Sequence, residues 1–338
     1  MIAIDLTRDR ATATPDAAIR QRRFPMIDAA RAAALAAMAS YHTLWDLGFL
    51  RLTAENYALT PAGRIAAEMI AGSFLVLVGI GLVLMNGGGV RPRPTLLRLA
   101  RIGGAALLVT LGTWIAFPDA FVFFGVLHCI AVASLLGLPF LFAPVAVTVL
   151  TAAAFIAAPH LVHAPILDAP VLYFLGLGSG TPRTNDYVPL FPWFGLVLAG
   201  IAVGRIGLPR FARSALGTWA PRSAIGRAAT WAGRHSLAIY LIHQPVLLVL
   251  LTGVVTLTGA NPRAGLRAFR ADYVTICTRT GGERPLCRIA ARCTSDALLR
   301  EDLFREDGRP FSGPERLRAQ ALSQQCYATL EQAARTER

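Results

Sequence analysis

The chain has 338 residues, 54% of them hydrophobic and only 16% charged, with a mean hydropathy of +0.51. A soluble domain carries about 25% charged residues, so there is too little polar material here to clothe the apolar sequence, and a soluble globular class is excluded. The formal charge of +13 comes entirely from arginine, as no lysine occurs; its dispersal between apolar spans argues against a nucleic-acid partner and for the cytoplasmic loops of a membrane protein.

In chain order, residues 1–26 hold Arg8, Arg10, Arg20, Arg22 and Arg23 without an apolar stretch of their own. The expectation is a cytoplasmic tail followed by a first span that acts as an uncleaved anchor. At about 20 residues per crossing, the fold class is all-α, a polytopic membrane helical bundle of about seven transmembrane helices. The predicted spans are roughly 27–49, 66–86, 100–117, 119–138, 140–158, 188–205 and 236–258, which together make a transmembrane domain over 27–258. Pro159 is expected to cut the fifth span short. The apolar stretch 169–179 is too short to cross and reads as re-entrant or interfacial.

The first span, IDAARAAALAAMASYHTLWDL, carries Asp28 and Arg31 at one end and His42 and Asp46 at the other. These four fall within about 60° of one another around a helix. Asp28 and Arg31 are spaced to pair with each other. The spacing of His42 and Asp46 lets a carboxylate orient an imidazole, the basis of a general base. The alanines between them permit close helix packing. Gly/Pro-rich residues 86–94 read as a simple loop, with no phosphate-binding pattern after the glycines. In the fourth span His128 is the one ionisable residue of an apolar run, and Cys129 reads as an ordinary buried thiol. Asp186, Tyr187 and Trp193 lie where an aromatic belt is expected. The last span, SLAIYLIHQPVL, places Ser236, Tyr240 and His243 within a narrow arc of one face. Ionisable groups in a bilayer are costly and face a bundle interior or a cavity, so two spans with such faces point to chemistry or transport in the membrane.

Arginine asymmetry sets the predicted orientation. Arg91, Arg93, Arg98, Arg101, Arg205, Arg210, Arg213, Arg222, Arg227 and Arg234 join the N-terminal arginines on one side; the short loops opposite hold Arg51, Arg64 and Arg183. The N-terminus is therefore expected in the cytoplasm, and an odd number of spans puts the C-terminus outside. The tail, 260–338, is charged, of mixed sign, and expected to form amphipathic helices near 294–306 and 314–335. Its cysteines, Cys277, Cys287, Cys293 and Cys326, read as two disulfides in an exported segment. Spacing leaves all three pairings open. With no CxxC pair and no histidine in the tail, zinc is disfavoured and no metal is expected.

Five segments in this order, IDAARAAALAAMASYHTLWDL, GSFLVLVGIGLVL, FVFFGVLHCIAVASLL, DYVPLFPWFGLVLAGIAVGR and RHSLAIYLIHQPVLL, resemble the heparan-α-glucosaminide N-acetyltransferase catalytic-domain family in its short bacterial branch. The resemblance covers about residues 24–250 and says nothing of the tail. It implies an inner-membrane enzyme that takes acetyl from cytoplasmic acetyl-CoA and delivers it across the membrane to an amine or hydroxyl of an envelope glycan or lipid-linked sugar. The family's D-x-x-R-G signature stands here as Asp28-Ala29-Ala30-Arg31-Ala32, without its glycine. The position where eukaryotic members carry an active-region asparagine falls at His42. Their next loop holds a histidine followed by a tryptophan and Asn-Gly, whereas residues 50–64 contain no histidine.

On this reading His42, oriented by Asp46, is the base. His128, Tyr240 and His243 polarise the thioester carbonyl or position the acceptor, with Asp28, Arg31, Asp186 and Trp193 on the substrate side. Arg91, Arg93, Arg98 and Arg101 attract the CoA phosphates. The competing expectations are a transporter or proton-coupled channel, which the lack of an inverted repeat disfavours, and a non-catalytic envelope scaffold acting through its tail. Membrane lipid is a necessary partner; a homo-oligomer and a periplasmic partner of the tail both stay open.

Overall fold

The computed structural model describes residues 23–162, 164–304 and 312–336; Arg8, Arg10, Arg20 and Arg22 lie outside the described residues. Among the described residues the secondary structure is helical, without a strand. The helices are α1 (Pro25–Phe49), α2 (Pro61–Asn86), α3 (Pro92–Ala116), α4 (Val126–Leu136), α5 (Val145–Leu161), α6 (Leu190–Phe211), α7 (Ala224–Arg234), α8 (Ser236–Thr258), α9 (Leu266–Arg279), α10 (Arg284–Arg300) and α11 (Gly313–Thr336).

Four of them, α2, α3, α6 and α8, are long and apolar enough to cross a membrane, while α4 and α5 are apolar but shorter. Helix α1 is 25 residues long, but Asp28, Arg31, His42 and Asp46 dilute its hydropathy and it is not among the four. α8 buries none of its residues; Val249 is 73% and Leu257 89% exposed, an apolar surface suited to lipid.

Element edges differ from expectation where local chemistry overrides hydropathy. α4 begins at Val126 rather than near 119, because Pro118–Ala120 forms a 3₁₀ turn and Gly125 takes the cap position. α5 continues through Pro159 to Leu161. A proline so close to the end removes only one late N–H from the ladder. Residues 165–175 form two 3₁₀ turns, closed by Gly176 in the left-handed region. The helix expected near 294–306 runs instead from Arg284 to Arg300, started by Pro285 and stopped before Asp302, whose φ is 54°. Helix α9 adds a third helix to the two expected of the tail.

The described residues divide into two compact units, one within 23–39 and 65–244, the other within 40–64 and 245–336. In the first unit α6 is the central element, and glycines let it approach its neighbours. A Cβ on Gly200 would overlap the carbonyl oxygen of Val76, and one on Gly79 that of Val197. Gly204 faces Val83, and Gly195 faces Ala152 and Ile156 of α5. Gly200 and Gly204 form a G-x-x-x-G step, the small-residue spacing that brings membrane helices together by van der Waals contact. Leu75, Leu82, Val197, Leu198 and Ile201 fill the seam. Gly200→Val should therefore destabilise the unit by about 1–3 kcal/mol through overpacking; a lowered melting temperature in detergent, absent for Gly207→Val at a position with open space, is the check.

In the second unit the tail helices are cross-linked, Cys277 to Cys287 and Cys293 to Cys326, with Cα–Cα separations of 5.9 and 5.8 Å. These pairings select one of the three connectivities. Arg270 bridges to Ser295 and Asp296, and Tyr273 bonds Ser323.

Candidate functional site

The first unit concentrates its ionisable groups in two places. In the first, Asp28 is 2% exposed and takes three arginines: Arg31 Nη1 at 3.1 Å, Arg23 Nε at 3.2 Å and Arg234 Nε at 3.5 Å. The expected Asp28–Arg31 pair thus exists, but inside a larger cluster. Arg234 arrives from α7, whose Gly233 lies so close to α1 that a Cβ there would overlap the Asp28 carbonyl oxygen. One carboxylate among three guanidiniums leaves a surplus of positive charge. Arg31 also reaches the Gly81 face of α2. Arg98 of α3 is half-buried and within electrostatic range of Arg31, whereas Arg91, Arg93 and Arg101 are exposed. The 86–94 loop is organised by Asn86, fully buried, whose Oδ1 accepts from the Arg91 N–H and the Thr95 hydroxyl.

The second place surrounds the start of α4. Residues 184–188 run beside 120–124: the Asn185 N–H donates to Ala120 and the Val188 N–H to Phe124. This brings Asp186 to the N-terminus of α4, where its Oδ2 accepts from the Val126 N–H at 2.8 Å. A carboxylate at a helix N-terminus satisfies an orphan donor and complements the helix dipole. Burial pushes the Asp186 carboxyl above the usual carboxylate range, and the Val126 N–H offsets part of that shift. The Tyr240 phenol lies within electrostatic range of Asp186.

His128 is tied at both ring nitrogens. The Gly125 N–H donates to Nδ1 at 3.2 Å, which makes Nδ1 the acceptor nitrogen. Nε2 then carries the proton and donates to Thr110 Oγ1 at 3.1 Å, and the Thr110 hydroxyl donates to the Val122 carbonyl at 2.6 Å. His128 in this tautomer braces α3 against the start of α4.

His243 has the opposite tautomer. Its Nδ1 is 2.7 Å from the Tyr240 carbonyl oxygen, which can only accept, so Nδ1 holds the proton and Nε2 carries the lone pair. Its ring lies 5.8 Å from that of Tyr240. A neutral imidazole held this way presents a base or a nucleophile, not a hydrogen-bond donor. Trp193 packs against the core near Gly72 of α2 and is half-buried.

His42 and Asp46 belong to the second unit. Asp46 is fully buried, and the His42 ring lies 5.9 Å from the Tyr41 ring. The loop after α1 closes back on it. Asn56 Nδ2 donates to the Trp45 carbonyl, and the Tyr41 hydroxyl donates to the Ala58 carbonyl. Sequence reasoning missed Arg234, Thr110 and Asn86. Of these only Asn86 had a local signal, a polar residue ending an apolar span. Among the described residues no group of three or more His, Cys, Asp or Glu side chains converges as a metal site.

The family model described as heparan-α-glucosaminide N-acetyltransferase, catalytic, matches residues 23–245. No curated protein and no solved structure matches the chain. The matched region contains both ionisable clusters, the His42–Asp46 pair and His243, and ends before the cross-linked tail. An all-helical chain with four membrane-length apolar helices, matched over most of its length, thus belongs to the heparan-α-glucosaminide N-acetyltransferase catalytic family, which implies a transmembrane acetyltransferase.

Proposed function

We propose that this chain moves acetyl from cytoplasmic acetyl-CoA to an amine or hydroxyl of an envelope glycan or lipid-linked sugar, as a seven-span protein of the bacterial inner membrane with its N-terminus inside and its tail outside. The observation that carries the reading is the tautomer of His243 within a helix long and apolar enough to cross a membrane. Attack on a thioester carbonyl needs a lone pair to take the acceptor's proton, or to take the acetyl group itself before passing it on. Nε2 of His243 serves either route. The balance is simple: an N–C or O–C bond to acetyl forms, the C–S bond breaks, and the departing thiolate takes up a proton.

His42, with Asp46 one turn further along α1, is the base for the acceptor on the route in which His243 carries the acetyl group, and the second proton-transfer group otherwise. Tyr240 and Asp186 position the acceptor, and Trp193 and His128 support that region by packing and bracing. For the donor, the surplus positive charge around Asp28, from Arg23, Arg31 and Arg234 with Arg98 nearby, suits the CoA phosphates better than the exposed Arg91, Arg93 and Arg101. Those three fit anionic lipid at the membrane surface.

The test is isotope transfer from labelled acetyl-CoA in inside-out vesicles, wild type against His42→Ala. The expected result is a labelled membrane-associated product from wild type, and loss of that product in the variant with its expression and melting temperature unchanged. No product and no CoA binding by purified wild type would overturn the acetyltransferase reading in favour of transport or scaffolding.

A further inference from the structure

The cross-linked tail lies beyond the family-matched region, yet it is bonded to the loop that follows His42 and Asp46. The Asn261 N–H donates to the Arg51 carbonyl at 2.8 Å, and the Gly265 N–H donates to the Ala54 carbonyl at 3.1 Å. Arg267 Nη1 meets Glu55 Oε2 at 2.7 Å, and the Thr53 hydroxyl bonds the Glu55 carbonyl. The clamped loop is in turn locked to the end of α1. The Leu50 N–H donates to the Asp46 carbonyl, and the Leu52 N–H to that of Leu47. Arg51 adopts a φ of 58°, a conformation that non-glycine residues rarely hold without support. Gly48 sits so close to Asn56 that no side chain fits between them.

The load path is therefore continuous. Disulfides tie α11 to α10 and α10 to α9; the start of α9 holds residues 51–55; that loop holds the turn of α1 that bears Asp46, with His42 one turn earlier. We infer that the tail is a positioning element for the His42–Asp46 turn. Glu55, Arg267, Asn261 and Gly265 are positioning residues, and the disulfides set the stiffness of the clamp. A side-chain orientation imposed from outside a site is lost when its support is loosened, even when the fold survives. The effect on turnover rests on the proposed role of His42; the mechanical coupling does not.

The experiment uses the full chain in detergent. Three variants, Glu55→Arg, Arg267→Glu and the double exchange, are compared by hydrogen–deuterium exchange over residues 47–56 and by acetyl-transfer kinetics. Each single reversal sets like charges against each other and should speed exchange in that loop about fivefold, as expected for loss of one well-formed ion pair. It should also lower kcat by a similar factor while leaving the KM for acetyl-CoA unchanged. The double exchange should restore both. Reducing the disulfides of wild type should speed the same exchange. Unaltered exchange at 47–56 in both the single variants and the reduced protein would overturn the coupling. Faster exchange with unchanged kcat would reduce the clamp to a purely structural contact. If wild type shows no acetyl transfer, the exchange measurements still decide the coupling, and only the functional reading fails.

Discussion

Replacing His243 with alanine lowers acetyl transfer by about 10²–10⁴-fold, the usual worth of a positioned proton-transfer group. The fold should survive, because the hydrogen bond given up at Nδ1 is to a carbonyl of its own helix three residues away. That carbonyl remains a normal helical acceptor once the ring is gone. His243→Gln should be no better than alanine, since an amide supplies no basic lone pair. Brief exposure to labelled acetyl-CoA without acceptor separates the two routes. Protein-bound label that is present in wild type and absent in His243→Ala means the ring carries the acetyl group; no bound label in either means direct transfer. His128→Ala should behave differently. It removes the links from the Gly125 N–H and to Thr110 Oγ1 while the Thr110–Val122 bond remains, so its loss should appear first in thermal stability. Full activity in His243→Ala would remove that residue from the mechanism.

Asp28→Ala has the largest expected effect on stability. Its carboxylate is the shared partner of Arg23, Arg31 and Arg234, and removing it leaves like charges facing one another. Breaking a buried pair costs about 3–5 kcal/mol. The Arg23 and Arg234 side chains are 65% and 43% exposed, so solvent screens part of the repulsion and about 2–3 kcal/mol is expected. Arg234→Ala should cost far less, because two arginines still hold the carboxylate. The check is detergent melting of Asp28→Ala, Arg234→Ala and the double variant. The double variant should recover part of the loss, since it removes one of the mutually repelling charges. If the cluster also holds the CoA phosphates, Arg234→Ala should raise the KM for acetyl-CoA without changing kcat. Equal stability of Asp28→Ala and wild type would mean that the arginines find other partners.

Much of the fold was legible because it depends on local periodicity. An apolar run long enough to cross a bilayer must satisfy its own backbone groups and becomes a helix, as 236–258 does residue for residue. The pairing of Asp28 with Arg31 and the even cysteine count of the tail were legible for the same reason, being matters of spacing and number along one segment. The four residues of α1 chosen for chemistry, and Tyr240 with His243 on α8, stood out because charge or a titratable ring inside apolar sequence is costly.

What tertiary structure decided concerns partners distant in sequence. Arg234 reaches Asp28 across 206 positions, and Asp186 caps a helix 60 positions earlier, so neither contact has a local pattern. The tautomers of His128 and His243 depend on which backbone group meets each ring, and hydropathy treats the two histidines alike. Cysteine spacing allowed three connectivities, and only the packing of α9, α10 and α11 chose Cys277–Cys287 and Cys293–Cys326. The clamp of the tail on residues 51–55 consists largely of backbone hydrogen bonds, which carry no side-chain signature. Hydropathy and spacing alone establish a helical membrane protein with ionisable groups inside several of its apolar spans. Which backbone or side-chain partner each of those groups meets was decided only when the helices packed.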